Sequence, residues 1–271
     1  MKPKPNKRPR NRRQKPTLTQ AAMQAAMLLF ALIFCVSGYN LLSVLVEYKQ
    51  GSSTYEDLRD QYMTISTPST TDGQNEQATE AFQYVVNFEE LRQTNADVIG
   101  WIVGPDTVID YPIMQGTNND YYLNHLFTKK RNSSGSIFAD YRHEHPFKCE
   151  NTLVYGHRMN NGSMFASLSD YRYQEYYDEH PVLYILTDDV SYRVELFSGY
   201  VAKTTSNAFK YEFSSVTDYE NYLKSISKRS NFKTDVSVTV YDRIVTLVTC
   251  TYEYDDARYV VHGKLVPIPE N

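Results

Sequence analysis

The sequence predicts a mainly β external domain, a closed barrel or a sandwich with helical insertions, preceded by one transmembrane helix. Three observations carry this. Short runs rich in Val, Ile, Thr and Tyr recur from residue 98 onward, bounded by Gly, Pro and Asn, which is the signature of strands. The 271 residues include 24 Tyr and 12 Phe, material for a strand-rich core. From Pro16 to Val46 there is no charged side chain. With 41% hydrophobic residues, 11 Gly and 11 Pro, the chain is neither disordered nor collagen-like. Three Cys exclude a disulfide-stapled miniprotein and a Cys₄ zinc site.

The amino-terminal elements follow from charge. Eight basic residues crowd the first fifteen positions with no acid among them, so residues 1–16 read as a basic tail and 17–46 as a signal-anchor. Ala25 to Val46 supplies 22 residues, and a bilayer core needs about 20 in a helix. The positive-inside asymmetry places the tail in the cytoplasm and everything after Glu47 outside the cell. A cleaved signal peptide is the alternative, with Val36, Ser37 and Gly38 as a loose cleavage site. The apolar run through Leu41 to Val46 is too long for the ~7–15 residues of such a segment. Cys35 reads as a lipid-facing side chain, because bulky Phe34 precedes it where a lipoprotein signal has a small residue. A nucleic-acid patch is a second reading of the basic tail, outweighed by its position against an apolar span; the external part is no general nucleic-acid binder. Residues 47–271 carry 20 basic and 32 acidic groups, a net charge near −12, which repels phosphates.

Residues 47–65 are mixed and form a candidate juxtamembrane helix; the Ser/Thr/Pro run at 66–75 reads as a linker. These make up a 47–75 segment, and the folded domain is expected over 76–271. Spacings of three and four among Ala81, Tyr84, Val85, Phe88 and Leu91 predict a helix over 76–94. Strands are predicted at 98–103, 107–113, 136–139, 152–156, 181–187, 190–201, 236–241, 243–250 and 258–268. A helix capped by Thr217 is expected over 217–229, and a shorter one within 163–178.

The chemistry concentrates near the carboxyl terminus. The strands ending at Cys250 and starting at Arg258 are joined by seven residues, so antiparallel pairing from the loop sets Cys250 opposite Arg258, Val248 opposite Val260 and Thr246 opposite His262. A one-residue slip would separate the first pair. A cation beside a thiol favours the nucleophilic thiolate, and a guanidinium offers a rigid fork of donors for an oxyanion. An acid/base must come from one of six His. His157 follows an apolar strand and a Gly, where a side chain emerges at a strand end, and is the modest favourite. His262 lies mid-strand and reads as a barrel histidine. His143 and His145 could share one strand face, yet lack further ligands for a metal. His125 and His180 carry no usable context. Cys250 itself is either a nucleophile, a small buried hydrophobe, or one half of a disulfide with Cys149.

Thr246 to Cys250 (TLVTC), the Arg eight residues on in RYVVHGKL, and NTLVYGHRMNNGSMF around His157 together resemble the sortases, cysteine transpeptidases of Gram-positive surfaces. The resemblance continues through GWIVGPDTVIDYPIMQGTNNDYYLNHLF and GSIFADYR, spans about residues 76–268, and favours class B through the helix at 76–94 and the long insertion before the Cys strand. It implies an eight-stranded sortase-type barrel with His157, Cys250 and Arg258 as the catalytic set. It further implies cleavage of a carboxyl-terminal sorting motif after Thr and transfer of the acyl group to a peptidoglycan amine, with no cofactor and no metal. The implied partners are surface proteins bearing that motif, the accepting amine and a membrane, with no nucleic acid. For substrate binding it points to Asn119 and Leu123, with Asn118 as a substitute because the run holds one extra residue, and to Thr246 and Leu247 on the groove floor. Val248 and Thr251 stand where some class B members carry polar side chains. Two alternatives remain beside it: a peptidase that hydrolyses its acyl-enzyme, and a non-catalytic surface receptor with a Cys149–Cys250 bridge.

Overall fold

The computed structural model describes residues 18–65, 84–250 and 256–269. It divides into two compact units at Val46 and Glu47. Helix α1 (Leu18–Tyr62) runs through the uncharged stretch. Its described apolar side chains from Leu18 to Val46 are largely exposed, and with a window of mean hydropathy 2.2 it is long and apolar enough to cross a membrane. The basic tail lies outside the described residues.

The second unit begins earlier than the sequence reading placed the folded domain. Residues 47–62 are helical, as expected, but Tyr55, Leu58 and Tyr62 are buried in the main core instead of standing apart. Strand β1 (Met63–Ile65) then pairs antiparallel with β2 (Tyr84–Val86). The helix expected over 76–94 is therefore shorter. Residues 76–83 and the linker lie outside the described residues, 84–86 form β2, and the helix α2 is Phe88–Thr94. Asn87 starts it, accepting from the Glu90 N–H at 3.1 Å and donating through Nδ2 to the Glu90 carboxylate at 3.1 Å. Such a reciprocal cap fixes a helix start; upstream of it, Tyr84 and Val86 satisfy a two-residue period equally well.

Among the described residues, eight strands close into a barrel: β3 (Val98–Val103), β4 (Asp110–Met114), β5 (Ile137–Ala139), β6 (Asn151–Tyr155), β7 (Val182–Leu186), β8 (Ser191–Lys203), β9 (Ile244–Cys250) and β10 (Ala257–Ile268). Their order is β10-β8-β7-β3-β4-β5-β6-β9, and β9 pairs with β10 to close the ring. Pairing is antiparallel except for β4–β5 and β6–β9. Closure leaves the barrel no free edge. The strand expected at 236–241 is not one. Val236, Val238 and Val240 are alternately half-buried against an apolar surface, so the two-residue period is real, but it reflects an extended chain lying on that surface without a ladder.

The barrel interior holds Trp101, Ile113, Leu247, Tyr259 and Val261. A second apolar cluster lies outside the wall, under helix α4 (Val216–Lys228). Tyr219, Tyr222, Leu223 and Ile226 recur at spacings of three and four and pack on Ile244, Val248 and Val260. Each buried Leu or Ile there contributes about 1.5–3 kcal/mol. The cap is Ser215, which accepts from the Asp218 N–H at 3.1 Å, and not Thr217. The short helix expected within 163–178 is a 3₁₀ segment (Ala166–Arg172) followed by α3 (Gln174–Glu179).

Candidate active site

The β9–β10 register is the one expected from the hairpin: Cys250 opposite Arg258, Val248 opposite Val260, Thr246 opposite His262. The third group arrives through a different pairing. Strand β6 runs parallel to β9 with Tyr155 level with Val248, and the Gly156 N–H donates to the Val248 carbonyl at 3.0 Å. Two residues further along both strands stand His157 and Cys250. Gly156 makes this possible, since a Cβ there would lie 2.6 Å from the Phe165 ring.

His157, Cys250 and Arg258 line one cleft of ≈ 380 Å³, together with Asn119 and Leu123. All three are partly exposed. The His157 Nε2 sits 2.6 Å from the Leu123 carbonyl oxygen, and Arg258 donates through Nη1 to the Ala257 carbonyl at 2.9 Å. Asn119 holds the rim, its Oδ1 accepting the Tyr141 N–H at 3.0 Å. Asn118 does not replace it; its Oδ1 accepts the N–H groups of Asp120 and Tyr121, each at 2.9 Å.

The cleft does not reach Thr246 or Leu247, which corrects their expected place on its floor. Leu247 points into the barrel core. Thr246 is fully buried, donating to Asn151 Oδ1 at 2.8 Å and accepting from His262 Nδ1 at 2.9 Å. Val248 and Thr249 line the cleft instead, because the strand reaches its open end only in its last turns of the pleat. Thr251 lies outside the described residues.

His262 is fully buried among Phe197, Tyr200 and Tyr222, and burial pushes its pKa down to about 3. The ring is therefore neutral at pH 7. His143 and His145 occupy a loop and not one strand face: His143 is buried with Nε2 accepting the Leu153 N–H at 2.9 Å, while His145 is exposed. Burial lowers the His143 pKa. Cys149 and Cys250 are both free thiols, so the bridge weighed from sequence is absent. Cys149 Sγ lies 3.7 Å from His143 Nδ1, and burial pushes its pKa up.

Of the cleft residues that escaped the sequence reading, two join one buried network. Arg142 and Tyr155 line the wall and converge on Asp140, whose side chain is fully buried. Arg142 donates through Nε at 2.8 Å and Nη2 at 2.6 Å, and Tyr155 Oη donates at 2.9 Å. Burial alone would raise the Asp140 pKa, but the Arg142 fork and the tyrosine hold it down to about 2. The Arg142 guanidinium also lies 4.4 Å from the centre of the Tyr211 ring. In sequence, an acid and a base two residues apart look like a solvated surface pair; only burial of the acid reveals the network.

A family model described as the sortase domain matches residues 102–266. Sortase B of Listeria monocytogenes is 35% identical over 236 residues, 86% of this chain and 92% of that protein. Among solved structures, a Staphylococcus aureus sortase B–substrate complex is 36% identical with a TM-score of 0.64, covering 67% of this chain and 85% of that one. Sortase B from B. anthracis in complex with AAEK1 is 37% identical with a TM-score of 0.69, covering 83% of this chain and all of that one. A closed barrel of this strand order, with a thiol, an imidazole and a guanidinium in one cleft, and relatives matched over most of their length, place the chain in the sortase family of cysteine transpeptidases, among the class B enzymes.

Proposed function

We propose that this transpeptidase is anchored by α1 with its barrel outside the cell, cleaves a sorting motif after Thr near the carboxyl terminus of a surface protein, and transfers the acyl group to a peptidoglycan amine. Cys250, His157 and Arg258 are its catalytic residues. The observation that carries this reading is their convergence on one cleft.

In the acylation step the Cys250 sulfur attacks the Thr carbonyl carbon. An S–C bond forms, and collapse of the tetrahedral adduct breaks the C–N bond. The departing nitrogen takes a proton from the His157 imidazolium, which neutralises the amine and prevents its return. The incoming amine then attacks the thioester, gives its surplus proton to the now neutral His157, and releases the Cys250 thiolate. Protons and charge balance over the cycle without a cofactor. Arg258 stands opposite Cys250 on the neighbouring strand and donates to the oxyanion of both tetrahedral adducts. Asn119 and Leu123, on the same cleft, hold the motif upstream of the scissile bond. The basic tail and the apolar stretch of α1 support the anchoring and its direction.

The test is incubation of the detergent-solubilised full chain with a pentapeptide library, with and without an added amine, followed by mass spectrometry. The expected outcome is cleavage after Thr with an amine-linked product. Cleavage that yields only the free acid would remove the transfer step, and no cleavage of any Thr-containing motif would remove the substrate class.

A further inference from the structure

A carbonyl oxygen can only accept a hydrogen bond, so the 2.6 Å contact between His157 Nε2 and the Leu123 carbonyl makes Nε2 the protonated nitrogen. In the neutral ring, Nδ1 is then the base. Leu123 ends a 3₁₀ turn (Tyr121–Leu123) on a loop, and the position of its carbonyl is set by what packs behind it. That neighbour is Gly135. Its φ is +57°, and a Cβ there would lie 2.5 Å from the Tyr122 carbonyl oxygen and 2.6 Å from the Leu123 carbonyl oxygen. The two loops are stitched on either side. The Ser136 N–H donates to the Tyr122 carbonyl at 2.9 Å and the Asn132 N–H to the Asn124 carbonyl at 3.0 Å. From the far side, Tyr55 Oη donates to the Gly135 carbonyl at 2.5 Å.

We propose that Gly135 is a positioning residue for the transpeptidation: lacking a side chain, it lets the Leu123 carbonyl stand where it accepts the His157 Nε2–H, which fixes the imidazole's tautomer and orientation and reserves Nδ1 for the proton exchanged with substrate and amine. The Leu123 carbonyl thus plays toward His157 the part that a carboxylate plays in a Ser-His-Asp triad, and Gly135 acts only through it. This rests on the assignment of His157 as the acid/base.

The direct test is long-range ¹H–¹⁵N correlation spectroscopy of the imidazoles in the detergent-solubilised full chain, held at a pH where the ring is neutral. The signal lost in His157→Gln identifies the residue among the six histidines. The wild-type ring is expected to show a protonated Nε2 and a bare Nδ1; the reverse pattern, or rapid averaging of both, overturns the proposal without touching the assignment of His157. Gly135→Ala is expected to blur that pattern, shift the acidic limb of the pH–rate profile and reduce kcat at least about tenfold, since small misplacements of a catalytic group are costly. Gly162→Ala separates strain from contact: Gly162 also has a positive φ, of +84°, but nothing lies within 4 Å of its Cβ position. It is expected to keep the wild-type His157 pattern. A folded Gly135→Ala enzyme with that pattern and full kcat rules Gly135 out. If Gly135→Ala does not fold, the wild-type tautomer still decides. If His157→Gln retains full turnover, it is the acid/base assignment that fails, a result distinct from a wrong tautomer.

Discussion

Cys250, His157 and Arg258 differ in what could stand in for them, and their substitutions are expected to differ accordingly. No neighbouring side chain can replace a thiolate, so Cys250→Ala should abolish turnover while leaving the barrel folded. His157→Ala should lose at least about 10²-fold, the usual worth of a positioned acid/base. Arg258→Lys keeps the charge but loses the planar fork, and should be far more damaging than charge conservation suggests. Steady-state kinetics of the amine-dependent reaction checks all three, with circular dichroism to verify folding. At this scale the register that sets Cys250 opposite Arg258 was legible from spacing, because two strands joined by a short loop have few ways to pair. His157 was only a favourite among six. What sets it apart is its neighbours, the Val248 carbonyl behind Gly156 and the Leu123 carbonyl ahead of it, and both come from distant parts of the chain.

Strands and helices hold His262 out of reach of the cleft. His262 lies mid-strand on β10, its Nδ1 bonded to Thr246 and its ring walled in by aromatics beneath α4. Its folded pKa is about 3 against an ordinary value of 6.5. Between those values the unfolded chain binds a proton that the folded one does not. Stability from this group is therefore complete above about pH 6.5 and falls as pH drops toward 3, by about 1.4 kcal/mol per unit. His262→Ala is expected to unfold about 2–4 kcal/mol more easily at pH 7, through the cavity and the lost hydrogen bond. It should also show a flatter dependence on pH between 6.5 and 4, and keep substantial activity. Urea titrations at two pH values and a turnover assay measure these; a dead but fully stable variant would reverse the roles of the two histidines. Element boundaries were read well where a pattern had one interpretation, as in β9 and β10. They were misread where a cap or a neighbour decided, as at Asn87 and along 236–241.

On the scale of the whole chain, the last turns of α1, beyond its apolar stretch, are part of the enzyme's core. Tyr55 meets Tyr111 edge-on with ring centres 5.2 Å apart, Arg59 Nε lies 2.7 Å from Asp110, and Leu58 is buried. Leu58→Ala is expected to cost about 2–4 kcal/mol, measured by thermal or urea unfolding, whereas a truly separate juxtamembrane linker would tolerate it. Sequence alone determined the apolar helix, the strand-rich composition and the register of the last hairpin, because charge, period and a short loop act locally. It left open whether the strands formed a barrel or a sandwich, and it assigned Thr246 and Leu247 to a groove that they do not reach. Only the tertiary structure decided which residues meet: the parallel pairing of β6 with β9 joins segments about ninety residues apart, and nothing within either segment encodes that partnership. Closing the ring satisfies every strand edge at once, so the meeting of His157 with Cys250 is a property of the closed barrel and not of any stretch of its sequence.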